Sequence, residues 1–227
     1  MSDSVSVRLK EASMSDLGRT ASGIDAYHYS GGGPTDAHAY LLPVFFSLLE
    51  KHLRPGADVF EIGAGNGYTA NEVARRGYRV VGIDPSAEGA RIAVEQYPRA
   101  GIIQASIYGD LSGHEGRYDF VYSLEVIEHL YAPRELVRKA WGLLRPRGSL
   151  CISTPFHGYW KNLALAAAGK LDDHFTALWE HGHIKFLSQK TLDALLNEQG
   201  FAILEHRFAG RFYPLSKSII VVAGKAN

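Results

Sequence analysis

The chain has 227 residues, enough for one α/β domain with an insertion and a sizeable core. Its 24 basic and 24 acidic residues give a formal net charge of zero, which removes any global electrostatic case for nucleic acid or an anionic membrane surface. A single cysteine, Cys151, excludes an internal disulfide, and no basic-then-apolar leader or bilayer-length apolar run is present, so a cytoplasmic protein is expected.

Residues 1–35 read as a flexible N-terminal segment, in which Tyr27, His28 and Tyr29 before Gly31-Gly32-Gly33-Pro34 could form a flap. Residues 36–227 read as a single domain. Leu41, Leu42, Phe45, Leu48 and Leu49 recur at helical spacing up to Pro55-Gly56. An apolar strand over 57–62 holds the acid Glu61 and enters a turn with glycine at every second position, Gly63, Gly65 and Gly67. A helix from Tyr68 to Arg76 follows, whose first N–H groups would face a ligand in that turn. A strand over 79–83 then ends in Asp84, placed to accept hydrogen bonds from ribose hydroxyls.

Ser86 is a candidate N-cap for a helix reaching Tyr97. Strands are expected over 101–106, 120–123 and 148–153, the last containing Cys151 as a small buried hydrophobe, with a helix over 133–144 between the second and third. Ser188 caps a helix closed by Gly200. Runs at 201–208 and 218–223 leave no helix-sized gap and predict an antiparallel closure. Residues 155–187 are too long for a plain connection. They are rich in aromatics and histidines, and Tyr159, Leu163, Ala166 and Ala167 predict a short amphipathic helix. This insertion is expected to act as a lid over an apolar pocket at the C-terminal ends of the strands.

The glycine turn departs from the dinucleotide fingerprint: the third glycine comes one position early, and Glu61 would repel a pyrophosphate. S-adenosylmethionine (SAM) carries no phosphate, and an acid suits its ammonium. The segment resembles the first motif, E/D-x-G-x-G-x-G, of the class I SAM-dependent methyltransferases. The resemblance covers roughly residues 40–224 and implies a Rossmann-like, mostly parallel seven-stranded sheet with one antiparallel strand. It further implies that Gly63, Ala64, Gly65 and the N–H groups near Gly67 hold the methionine end, with Glu61 nearby. Asp84, with Pro85 beside it, would bind the ribose, and Ser106 and Ile107 the adenine, where the family's usual acid is missing. Leu124 and Glu125 would lie beside the sulfonium and the adenosyl group.

Glu125, Glu128 and His129 are spaced so that one helical turn would put all three on one face. The segment resembles the E-V-x-E-H motif of the ubiquinone-biosynthesis O-methyltransferases and of the metal-dependent RNA 3′-end 2′-O-methyltransferases. That resemblance implies a divalent metal held by Glu125, Glu128, His129 and a further histidine, with His183 the first choice. Carboxylates and imidazoles suit Mg²⁺, Mn²⁺ or Zn²⁺ without choosing among them. The alternative is that the acid merely holds the loop and the histidine orients it.

Proton removal from an acceptor needs a base near neutrality, for which His183, His129 and then His157 are candidates, with Glu125 beside them. The leading expectation is SAM-dependent methyl transfer to a small aromatic or lipid-like acceptor, at a hydroxyl oxygen, with no nucleic-acid partner. Two rivals stand beside it. An RNA-end methyltransferase would need a basic groove, to which Lys161, Lys170, Lys185 and Lys190 could contribute. A non-catalytic SAM-binding partner protein would use the cofactor motif alone.

Overall fold

The computed structural model describes residues 29, 31–175, 178–179 and 182–226. Tyr27, His28, His181 and most of the expected flap lie outside them.

After helix α1 (His38–His52), strands and helices alternate: β1 (Asp58–Ile62), α2 (Tyr68–Arg75), β2 (Arg79–Asp84), α3 (Ala87–Gln96) and β3 (Ile102–Gln104). The chain then places β4 (Tyr118–Leu124), α4 (Pro133–Leu143) and β5 (Leu144–Pro155) on the other side of β1. Two helices of the insertion follow, α5 (Tyr159–Ala167) and α6 (Leu171–Phe175), then α7 (Gln189–Glu198), β6 (Phe201–Ala209) and β7 (Ser218–Lys225). The sheet order is β3-β2-β1-β4-β5-β7-β6. β1 to β5 pair in parallel, and β7 runs antiparallel to both its neighbours. The antiparallel closure expected from the sequence is therefore present.

Alternation along the strands splits the core into two layers. Phe60, Val121, Leu150, Ile152 and Val221 pack beneath α4 and α7. Val59, Phe120, Tyr122, Cys151 and Val222 pack beneath α1, α2 and α3. Both faces are covered, as a largely parallel sheet requires. Local signals held where expected: the Ser86 hydroxyl accepts from Gly89 N–H, and Ser188 forms a reciprocal cap with Thr191.

Two expectations change. Strand five, expected from residue 148, begins at Leu144, and Arg145-Pro146-Arg147-Gly148 is an irregularity inside it: Leu144 pairs with Tyr118, and the register shifts before Phe120. In the insertion, α5 forms but faces the other way. Tyr159 is 73% and Leu163 47% exposed, while Lys161 is only 8% exposed, so the face expected to pack is the outer one. No helix among the described residues is long and apolar enough to cross a membrane.

Candidate active site

β1 and β4 are neighbours whose following connections run to opposite sides, so the sheet reverses direction between them. Open α/β sheets bind ligands in the crevice at such a point. The Ser123 hydroxyl donates to the Ile62 carbonyl at 2.9 Å, fixing the two strand ends together. Above them opens one continuous cavity of about 910 Å³, running from the glycine turn to the insertion.

At the first end, Gly63 and Ala64 N–H both donate to the Ile83 carbonyl at 2.9 Å. Asp84 accepts from Gly65 N–H at 2.8 Å and from Ser86 N–H at 2.9 Å, one bond to each carboxylate oxygen. Each oxygen keeps a lone pair for a further donor. Burial raises the Asp84 carboxyl above its ordinary range, and the two backbone bonds oppose the rise. Glu61 is buried beside it, with no hydrogen-bond partner for Oε2 among the described residues. Burial pushes Glu61 up to about 8, and the charge of Asp84 adds to the rise. Such an acid suits a cation. Pro85, Ser106, Ile107 and Leu124 line the same cavity, and Ser106 Oγ accepts from Tyr108 N–H at 3.2 Å.

Gly67 does not belong to this cradle. Its N–H donates to the Ala64 carbonyl, and the neighbouring Tyr68 N–H donates to Asn66 Oδ1, so neither amide is free for a ligand. A Cβ at Gly67 would meet Ala93 Cβ at 2.6 Å, and its φ is +80°. The third glycine lets α2 approach α3 and starts the helix in the left-handed region. The expectation of an open N–H at the first helical residue, Tyr68, is corrected in the same way. Tyr29 lies against Gly65 and Gly89, and Asn66 donates to the carbonyls of Gly31 and Gly33, so the part of the expected flap that is described is tied to the fold.

At the other end, Glu125 leaves β4 with φ +54°, and only Ile127–His129 form a 3-10 turn. The expected single helical face of Glu125, Glu128 and His129 is therefore absent. Glu125 N–H and the Ser153 hydroxyl form a mutual pair, at 3.0 Å to Ser153 Oγ and 2.7 Å back to Oε1. The Ser218 hydroxyl donates to Oε2 at 3.1 Å and lies 3.3 Å from the Tyr40 hydroxyl. Burial pushes Glu125 up to about 7 against these bonds.

Glu128, His129 and His183, without Glu125, can present one ligand atom each within 4.8 Å of one another. His129 and His183 Nε2 both lie 4.0 Å from Glu128 Oε1. Glu128 is fully buried, and neither carboxylate oxygen has a hydrogen-bond partner among the described residues. Its backbone carbonyl accepts from Ile184 and Lys185 N–H, which draws His183 to the site from the insertion. An orphaned buried carboxylate with two imidazoles fits a divalent cation. Glu125, held by two serines, is corrected out of that set.

His183 is pushed down to about 4 by burial and by the neighbouring His129, so it stays uncharged near neutrality and binds a proton weakly. His157 is lowered likewise, and lines a smaller cavity with Asn162, Phe175, His183 and Phe186. Among the candidate bases that carry a resolved shift, the one moved towards neutrality is Glu125.

The sequence reading missed Tyr40, Ser153, Ser218 and the inward turn of Lys161. A readable sign existed only for the last, a lone charged residue in the mostly apolar helix Tyr159–Ala167.

A methyltransferase-domain family model matches residues 36–206. The chain is 29% identical over 164 residues to a ubiquinone biosynthesis O-methyltransferase of Azorhizobium caulinodans, covering 68% of this chain and 63% of that protein. It is 32% identical over 103 residues to the Sodalis glossinidius protein of the same name, covering 44% and 41%. The match thus spans less than two thirds of these relatives' length. Among solved structures, a Pyrococcus horikoshii protein superposes with TM-score 0.68 at 15% identity, over 87% of this chain and 94% of that one. A Burkholderia thailandensis 1,6-didemethyltoxoflavin-N1-methyltransferase, solved with S-adenosylhomocysteine, does so with TM-score 0.60 at 19% identity, over 80% and 76%. Both likenesses concern the fold.

Proposed function

The chain belongs to the methyltransferase-domain family and has the class I methyltransferase fold, and from that premise we propose that it transfers the methyl group of SAM to a hydroxyl oxygen of a small molecule. The observation that carries the reading is the single cavity joining two chemically different ends. The glycine-turn end offers Glu61 and Asp84 and, among the described residues, no lysine or arginine, which suits an ammonium and a ribose and repels a pyrophosphate. The other end offers Glu125, the Tyr40 and Ser218 hydroxyls and apolar walls that include Leu165, Trp179 and Leu215.

In this reading Glu61 takes the ammonium of the donor, Asp84 its ribose, and Ser106 and Ile107 flank the adenine, while Leu124 borders the sulfonium. The sulfonium already activates the methyl group, so the protein has to align the acceptor oxygen with it and exclude water. The C–S bond breaks as the C–O bond forms, giving S-adenosylhomocysteine and a methyl ether, and the hydroxyl proton leaves. Glu125 receives that proton, because it lines the acceptor end next to Leu124 and burial raises its carboxyl to about 7. The insertion over 155–187 acts as the lid, with Lys161, Leu165 and Trp179 closing the acceptor end.

Glu128, His129 and His183 would hold a divalent cation, which would supply charge to orient and acidify an acceptor hydroxyl. The names of the Azorhizobium and Sodalis relatives favour oxygen as the acceptor atom.

Methyl-labelled SAM incubated with a panel of phenols and catechols tests the reading. Label appearing as an ether, and lost in Asp84→Ala, supports it. Label on nitrogen or carbon only, or none despite bound SAM, overturns the oxygen assignment.

A further inference from the structure

The acceptor end of the cavity holds three cations. Lys161, from α5, is 8% exposed, and its Nζ donates to the backbone carbonyls of Phe156 at 2.8 Å and Lys217 at 3.5 Å. An ammonium has three donors, so one remains. Arg211 and Lys217 reach the same cavity from the loop between β6 and β7, and Lys217 Nζ lies 4.7 Å above the Tyr40 ring. Among the described residues none of the three forms a salt bridge. The acid that faces Lys161 is Glu125, and both its oxygens are engaged by Ser153 and Ser218. His174 lines the same end, with Nε2 buried and without a partner among the described residues.

A buried ammonium beside further cations is costly until an anion arrives. Burial and the charge of Arg211 push Lys161 down to about 8, in keeping with that cost. The cations sit apart from the Glu61–Asp84 end, so they are not explained by the donor molecule.

We propose that the acceptor carries an anionic oxyacid group, a carboxylate or a phosphate, received by Lys161, Arg211 and Lys217 while its hydroxyl faces Glu125. This deepens the methyl-transfer reading of the cavity and rests on it for the role of Glu125. The hydroxyl and the anion are thus held at two points, which fixes the acceptor oxygen in line with the methyl group. Neutral analogues of the same shape would leave the three cations unpaired and bind less well.

Matched probes decide the matter: protocatechuate, its neutral methyl ester, and inorganic phosphate, each titrated calorimetrically into the protein saturated with S-adenosylhomocysteine. The acid is expected to bind about tenfold more tightly than the ester, the effect of one charge-assisted contact. Lys161→Met, Arg211→Ala and Lys217→Ala should each shrink that ratio and leave ester binding in place. Arg211 and Lys217 lie on an exposed loop, so their variants keep the test alive if Lys161→Met fails to fold. Phosphate displacing the acid assigns a receptor for both oxyacids, and failure to displace it assigns a carboxylate receptor. An ester that binds as well as the acid, or a preference that survives in the loop variants, overturns the proposal. If S-adenosylhomocysteine does not bind, the cofactor reading fails by itself, and the acid-to-ester ratio is still measured on the free protein.

Discussion

Glu125 and Ser153 are joined three times, once through the backbone, where the Glu125 N–H reaches the Ser153 carbonyl at 3.2 Å. The Glu125 N–H donates to the Ser153 hydroxyl oxygen at 3.0 Å, and that hydroxyl donates back to the Glu125 carboxylate at 2.7 Å. The ring holds Glu125 at φ +54°, a backbone state that a glutamate rarely adopts without support. Ser153→Ala removes both hydroxyl bonds, leaves the backbone one, and should lower unfolding free energy by about 1–2 kcal/mol. Methyl transfer should fall about tenfold or more while S-adenosylhomocysteine still binds, because the base loses its aim and the cradle does not. Unchanged turnover in a variant of measurably lower stability would show that Glu125 needs no such anchor.

Glu61 gives a pH-dependent signature. Its carboxyl is raised to about 8 in the fold, from an ordinary 4.5. Near neutrality it is mostly protonated, and an arriving ammonium should displace the proton. Calorimetry in buffers of different ionisation enthalpy should detect proton release on cofactor binding near neutrality, fading above about pH 8 where Glu61 is already ionised. The folding linkage has the opposite face. The raised acid binds its proton more tightly when folded, so its contribution is fully present below 4.5 and is lost as pH rises through about 8. Glu61→Gln should abolish the proton release and flatten the stability loss over that window. Proton release undiminished in Glu61→Gln would assign it to another group.

Much of the architecture was legible because its signals are local. The glycine turn, the strand ending in Asp84 and the Ser86 cap each lie within a few residues of the structure they specify. The site itself was less legible. Ser153 and Ser218 reach Glu125 across 28 and 93 residues, and no pattern near Glu125 points to them. The spacing of Glu125, Glu128 and His129 suggested one helical face, but the left-handed turn at Glu125 breaks it before the 3-10 turn begins. For α5, apolar spacing chose the wrong face, because the helix turns its lysine inward to two backbone carbonyls and a shared cavity.

Gly67 separates packing from binding. Its Cβ position is occupied by Ala93, and its φ of +80° disfavours any side chain. Gly67→Ala should destabilise the fold by about 1–3 kcal/mol through overpacking and backbone strain. S-adenosylhomocysteine affinity, measured on the folded fraction, should change by less than about threefold. Loss of affinity with unchanged stability would return Gly67 to the ligand cradle.

The cluster of Glu128, His129 and His183 makes a prediction that does not depend on turnover. A fully buried carboxylate with both oxygens orphaned is unstable as an anion unless a cation or a proton joins it. Burial and the charge of Glu125 raise its carboxyl well above the ordinary range, so without a cation the proton is favoured over the bare anion. A divalent cation competes with that proton and is held by the two imidazoles as well. Zn²⁺ or Mn²⁺ at about one hundred times its dissociation constant should therefore stabilise chelator-treated protein by about 2.7 kcal/mol. His183→Ala should lose most of that gain, because it removes one of three donors. Glu125→Gln should keep it, because Glu125 stands outside the set with both oxygens on serines. A gain abolished by Glu125→Gln and retained by His183→Ala would reverse the assignment and restore the four-ligand arrangement expected from the motif.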